Sequence, residues 1–186
     1  GKTEVNLGEN VPQTYLASLT PYLNEDAKTI RASNDQIELD YGKGVLKIKA
    51  PRAEALSGDL RAAGMTQLGV LAVDSPLDLG HVILVSLDGL PLTQSGEMLL
   101  QVMTEERNTD WKQQWIGNDG KYRVMDLGRD PWRYKAMKGR VVLNRPDAGN
   151  LKVTALDLNG YPVESTGDAL AIRLREETVY YYIEAD

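Results

Sequence analysis

The stretch that decides the fold is Gln36–Ala50, QIELDYGKGVLKIKA. Ile37 and Leu39 occupy alternate positions before the turn Tyr41–Gly44, and apolar residues alternate with lysines again in Val45–Ala50. Side chains at alternate positions of a strand point to the same face of a sheet. The stretch therefore predicts a β-hairpin in which each strand has one apolar face.

Short runs of the same kind continue along the chain, separated by Gly, Asn, Asp and Pro. We interpret the following runs as strands: 81–87, 96–104, 139–143, 151–157, 169–174 and 178–184. Met98–Met103 also fits a buried helix, and Ala53–Ala63 fits either a short helix or a strand. Strands at such short spacing are typical of a sandwich or barrel.

The chain of 186 residues is long enough for one sizeable core. The fold class that we predict is all-β: an antiparallel β-sandwich, immunoglobulin-like or jelly-roll, with about ten or more strands. We expect a single domain over residues 1–186, with residues 1–30 an irregular leading segment. The initial Gly1 is typical of tag removal, which suggests a segment cut from a longer protein.

The charge and the cysteine content exclude several function classes. The formal net charge is −6 and no block of basic residues occurs, so we expect neither nucleic acid nor a membrane as partner. The chain has no cysteine, which excludes disulfides, thiol nucleophiles and thiolate metal ligands. No phosphate-binding loop or dinucleotide fingerprint occurs, and we expect no cofactor.

Catalytic chemistry has few candidate residues. The one histidine, His81, follows Gly80 at the start of an apolar run, which favours a structural role. Glu105, Glu106 and Asp110 are the carboxylates that a glycosidase could use as a pair, but we favour a solvated strand end with a local ion pair. For calcium, 118–120 and 157–160 offer oxygen ligands, but both stretches read more simply as turns. We therefore expect no catalytic residue and no metal site.

A long tract, 108–138, is predicted to be irregular and contains all three tryptophans. Pyranose rings stack on flat aromatic faces, while amides and guanidinium groups bind their hydroxyls. The candidate carbohydrate-binding residues are Trp111, Trp115, Trp132, Tyr134, Gln113 and Arg133. Phenylalanine is absent, so tryptophan and tyrosine must supply the aromatic part of the core, which favours burial of most of these rings.

Several motifs together resemble a known kind of domain. They are D-x-G-x-G followed by Pro-Arg in 40–52, Ser-Leu-Asp-Gly in 86–89, Asn-Thr in 108–109 ahead of Trp111, 153–160, and the aromatic strand 179–183. Their order is similar to the C-terminal β-sandwich region that follows the catalytic barrel in large bacterial glycoside-hydrolase-like proteins. Arg107 stands where that pattern has glutamate, so no role is carried over to this position.

The resemblance implies a non-catalytic accessory domain, secreted or periplasmic, whose partners are the catalytic barrel of the parent chain and polysaccharide. Two alternatives remain open from the residues: a free-standing carbohydrate-binding module with exposed tryptophans, and a glycosidase with a carboxylate pair. The accessory role predicts an apolar patch on one sheet or loop edge.

Overall fold

The computed structural model describes residues 20–117 and 120–185. In these residues the chain forms eighteen strands and one short α-helix, with 3₁₀ turns at Thr20–Tyr22 and Ala148–Asn150. The strands of the first half are β1 (Leu23–Asn24), β2 (Thr29–Arg31), β3 (Ile37–Asp40), β4 (Val45–Ala50), β5 (Ala53–Gly58), β6 (Thr66–Gln67), β7 (Leu71–Asp74), β8 (Gly80–Ser86) and β9 (Glu97–Thr104). Those of the second half are β10 (Glu106–Thr109), β11 (Lys112–Trp115), β12 (Tyr122–Asp126), β13 (Arg129–Tyr134), β14 (Arg140–Leu143), β15 (Leu151–Leu156), β16 (Pro162–Asp168), β17 (Ile172–Arg173) and β18 (Tyr180–Ala185).

Two antiparallel sheets form the body of the protein. The larger has ten strands in the order β1-β2-β3-β4-β5-β8-β9-β18-β15-β16, and the smaller has four in the order β17-β14-β7-β6. The prediction of an all-β antiparallel sandwich is confirmed. The hairpin of Gln36–Ala50 is also confirmed, because Leu39 pairs with Leu46 and Ile37 with Ile48.

The core lies between the two sheets. Every second residue of β8, β9, β15 and β18 is buried, and these residues pack in one cluster with Leu71, Val73, Val141 and Leu143 of the smaller sheet. Tyr181 is the one fully buried aromatic residue of the described chain, and its hydroxyl accepts a 2.8 Å hydrogen bond from the backbone N–H of Arg175. Burial raises the pKa of the Tyr181 hydroxyl.

Two ambiguous stretches have a clear outcome. Met98–Met103 is strand, within β9, and not a buried helix. Ala53–Ala63 divides, because β5 ends at Gly58 and a single helical turn, α1 (Leu60–Ala63), follows. The Asp59 carboxylate caps this turn by accepting a 2.9 Å hydrogen bond from the backbone N–H of Ala62. No helix in the described ranges is long and apolar enough to cross a membrane.

Two predicted irregular regions contain strands. Within the leading segment, residues 1–19 lie outside the described residues, but β1 and β2 extend the larger sheet beyond β3. In the tract 108–138, β10 pairs with β13 and β11 pairs with β12, which gives a β-ribbon. We call this ribbon, residues 105–135 without 118–119, the arm. It was not predicted because both of its faces are largely exposed, so its sequence shows no alternation.

Candidate functional site

The arm leaves the body where β9 ends and returns before β14. At its base, the Thr104 hydroxyl donates a 2.5 Å hydrogen bond to the carbonyl of Lys135, and the Lys135 N–H donates to the carbonyl of Glu105 at 2.9 Å. The Tyr134 hydroxyl donates to the carbonyl of Glu177 at 3.0 Å. These three bonds fix the base of the arm to the sandwich.

A bend divides the arm into two ribbons. Asp110 and Gly128 both have positive φ values, of 64° and 69°, and the ladder has a register shift between Asn108 and Thr109. A side chain at position 128 would overlap the backbone carbonyl of Thr109, so the close approach of the two chains requires glycine there. The Arg129 guanidinium binds the Asp110 carboxylate at 2.8 Å on the same bend. The bend is therefore fixed by backbone geometry and by an ion pair.

An open cleft of about 380 Å³ lies at this bend. Its lining residues are Glu105, Glu106, Arg107, Asn108, Trp111, Gln113 and Trp132. Trp132 is 65% exposed, whereas Trp111 is half-buried and donates a 3.1 Å hydrogen bond from Nε1 to Oε1 of Gln113. The cleft thus combines two indole rings with an amide that one of them orients, and with charged groups on its wall.

The structure brings together three of the six sequence-predicted site residues, Trp111, Gln113 and Trp132. Trp115 lies farther along the arm, 50% exposed, and its ring meets that of Tyr122 edge to face at 5.0 Å. Tyr134 belongs to the base of the arm, and Arg133 is exposed opposite Arg107. The interpretation that most of these rings are buried is wrong, because no tryptophan belongs to the core.

The other candidate groups have local partners. Glu105 and Glu106 line the cleft, but Glu105 forms an ion pair with Arg107, and Asp110 is bound by Arg129 outside the cleft lining. His81 lies at the start of β8, and its Nδ1 is 2.6 Å from the Ser57 hydroxyl on the neighbouring β5. This contact suits the structural role that we predicted for it.

The turn at 157–160 is held by the Asp157 carboxylate, which accepts hydrogen bonds from the N–H groups of Asn159 and Tyr161 at 2.8 and 2.9 Å. The turn interpretation of this stretch is confirmed. Of the other calcium candidate, Asn118 and Asp119 lie outside the described residues. Within the ranges 20–117 and 120–185, no group of three or more acidic or histidine side chains is arranged to hold a metal ion.

Sequence reasoning missed Asn108 as a lining residue of the cleft. It pairs directly with Trp132 in the ladder, and its side-chain amide donates a 2.8 Å hydrogen bond to the carbonyl of Leu127. A strand register across the arm would have placed it there, but the sequence gives no alternation from which to read that register. The chain matches no protein-family model, no curated protein and no solved structure. The likeness to C-terminal regions of glycoside-hydrolase-like proteins therefore stays a prediction.

Proposed function

We propose that this chain is a non-catalytic accessory domain of a carbohydrate-active protein and that it contacts glycan through the cleft of the arm. The observation that carries the proposal is the placement of Trp132, which is 65% exposed and shares the cleft with half-buried Trp111 and with Gln113. An indole exposed to this extent contributes nothing to the core, and clustered exposed apolar groups indicate a binding surface.

The cleft offers both kinds of contact that a sugar ring requires. The C–H face of a pyranose packs on an indole, which supplies a large and rigid apolar surface. Gln113 and Asn108 present amide groups, and Glu106 presents a carboxylate, so donors and acceptors for sugar hydroxyls lie beside the rings. A volume of about 380 Å³ is suited to one or two sugar residues of a chain that continues into solvent.

The remaining parts of the proposal rest on the sequence resemblance. The parent protein carries a catalytic barrel that this domain supports, and the protein is secreted or periplasmic, where polysaccharide is available. The rival in the binding class is a free-standing carbohydrate-binding module, which would use the same cleft. The two differ in whether an enzyme domain is joined to this chain.

The experiment is an affinity-gel screen of the purified chain against soluble glucans, xylans, mannans and chitooligosaccharides, followed by calorimetric titration of any ligand found. Trp132→Ala should weaken binding about fivefold, since one lost aromatic contact of this kind is worth about 1 kcal/mol. Trp115→Ala is the matched control, because it removes an exposed indole that lies outside the cleft lining. Equal loss in both variants, or binding that neither variant changes, would overturn the assignment to the cleft.

An assay for glycan hydrolysis tests the proposal that the domain is non-catalytic. A glycosidase holds two carboxylates about 5 to 10 Å apart across the scissile bond. Glu105 and Glu106 are consecutive residues, and Glu105 is already bound by Arg107, which does not favour that arrangement. The same glycan panel should therefore show no reducing-end release. Release that disappears in Glu106→Gln would identify an enzyme instead.

A further inference from the structure

The outer face of the ten-stranded sheet, turned away from the four-stranded sheet, is largely apolar, although the polar residues Gln101, Ser57 and His81 also lie on it. The register of the strands aligns one row of side chains across seven strands: Ile37, Ile48, Ala55, Ile83, Gln101, Tyr180 and Leu156. One neighbouring row contains Val85, Leu99 and Tyr182 with Thr154, and the other contains Leu39, Leu46 and Met103 with Ser57 and His81. On β8, β9 and β18 the residues of these rows lie opposite in phase to the fully buried residues and face away from the other sheet, whereas Ala55 on β5 is buried.

The distribution of apolar and charged residues on β3 and β4 also places apolar side chains on the outer face. On the inner side, Glu38 binds Lys47 at 2.9 Å and Arg31 at 2.8 Å, which makes a solvated ion-pair network. On the outer side, Ile37 and Leu39 are 42% and 38% exposed. The usual pattern, with apolar residues inward and charged residues outward, is thus inverted in this hairpin. The hairpin therefore presents most of its apolar side chains on the outer face.

The size of the face is that of a protein interface. Seven strands spaced about 4.8 Å apart, with three rows of side chains about 6.8 Å apart, give a face of about 600 Å². This is at the upper limit of the apolar patches that monomers expose. Two such faces in contact would bury about 1,200 Å², which reaches the range of stable, specific interfaces.

We propose that the outer face binds the outer face of a second copy of this chain, as a two-fold sheet-on-sheet dimer. An apolar sheet face can pack against a copy of itself, as a two-fold contact requires. The charged groups of the face, Glu97, Glu184 and Lys152, lie together at one corner, where Lys152 and Glu184 are 3.5 Å apart. A two-fold axis that lies between the two faces, parallel to the strands and near Ile83, places this corner of each copy over the β3–β4 side of the other, so like charges do not meet.

The dimer is independent of the proposed glycan contact, because the arm is not part of the outer face. Sedimentation velocity of the intact chain over a series of concentrations should show a dimer. Ile83→Lys, at the centre of the face, should raise the dissociation constant at least a hundredfold, since it places two cations in an apolar contact. Ile37→Lys, at a position that is already 42% exposed, is a second variant with little risk to folding, and it should weaken the dimer in the same direction.

The matched control is Met65→Lys, since Met65 is 67% exposed in the loop after α1 and lies outside the outer face. This variant should remain dimeric, and circular dichroism should show that all variants keep their β-sheet spectrum. A wild-type chain that stays monomeric at all concentrations would overturn the inference and leave the face for another domain. So would a dimer that persists in both face variants, or one that dissociates only when Trp132 of the arm is replaced by alanine.

Discussion

Glu54, on β5 of the ten-stranded sheet, accepts a 2.7 Å hydrogen bond from the backbone N–H of Leu71, on β7 of the four-stranded sheet. The same carboxylate accepts from the N–H groups of Gly69 and Val70, each at 3.1 Å. The side chain is only 4% exposed, so these bonds join the two sheets inside the protein. A buried carboxylate is tolerated here because three backbone donors satisfy it.

Replacing this carboxylate should destabilise the fold. Glu54→Gln keeps the shape but turns an N–H donor toward the backbone donors, and we expect the free energy of unfolding to fall by about 2 kcal/mol. Glu54→Ala leaves the N–H groups of Val70 and Leu71 unsatisfied and should cost about 3 kcal/mol or more. Urea unfolding measures both. Glu176→Gln, at an exposed position, serves as the control and should change stability by less than about 0.5 kcal/mol.

Gly69 and Glu54 should behave as a coupled pair. A methyl group at position 69 would overlap Oε1 of Glu54, so Gly69→Ala forces the carboxylate away from its three donors. The single variant should therefore cost about as much as Glu54→Gln. In the double variant, the second substitution removes hydrogen bonds that the first has already broken. The loss of unfolding free energy in the double variant should therefore be well below the sum of the losses in the two single variants. Strict additivity in a double-mutant cycle would show that the overlap is relieved in another way.

Arg145 follows β14, and its side chain binds the loop between β8 and β9. Its side chain is 4% exposed, and it donates to the carbonyls of Leu92 and Ser95 at 2.8 and 2.6 Å and to both oxygens of Asp147. Lysine cannot reproduce this planar set of donors. Arg145→Lys should lower the free energy of unfolding by about 3 kcal/mol in urea titrations. Arg140→Lys, on an exposed pair with Asp74, should cost less than about 1 kcal/mol.

The Asp88 carboxylate should make the free energy of unfolding depend on pH in the acid range. Burial acts to raise the pKa of its carboxyl, but hydrogen bonds from the N–H groups of Leu90 and Gly96 and from two serine hydroxyls outweigh burial and hold this pKa well below its usual range. In the unfolded chain this carboxyl has its ordinary pKa, so the unfolded chain binds a proton at a higher pH than the folded chain does. The stabilisation is therefore complete above about pH 5 and declines below about pH 4.

The measurement compares thermal unfolding of the wild type and Asp88→Asn at pH 7, 5 and 3. The wild type should have the higher Tm at pH 7 and 5 by the same margin, and the margin should shrink at pH 3. The difference between the two chains removes the contribution of other titrating groups. A margin that does not change over this range would mean that the Asp88 carboxylate makes no net contribution to folding.

The strands that alternate could be predicted from the sequence, because one of their faces is buried. This holds for β3, β4 and β15, where apolar and polar residues largely alternate, while β8 and β9 were predicted from continuous apolar runs and β18 from its aromatic run. β16 was missed, since it begins with Pro162, lies at the edge of its sheet and is exposed along nearly its whole length. β17 is shorter than the predicted run 169–174, because only Ile172 and Arg173 pair with β14.

The candidate site could be predicted in its residues but not in its arrangement. Clustered tryptophans identified the tract 108–138 as the candidate binding region, and three of the proposed residues share a cleft. The bend that brings them together depends on the positive φ values of Asp110 and Gly128, which composition does not reveal. The alternation in the hairpin sequence predicts that the hairpin has one apolar face. Only the ion pairs of Glu38, which lie on the inner side, show that this apolar face is the outer one.

The distribution of aromatic residues gives the molecule two separate optical reporters. All three tryptophans belong to the arm, whereas the fully buried aromatic residue of the described chain is a tyrosine, Tyr181. Tryptophan fluorescence therefore reports the environment of the arm and does not report unfolding of the core. The amide circular-dichroism signal follows chiefly the sandwich, which holds most of the strand residues. A ligand that quenches indole emission without moving the amide transition can thus be assigned to the arm before any residue is changed.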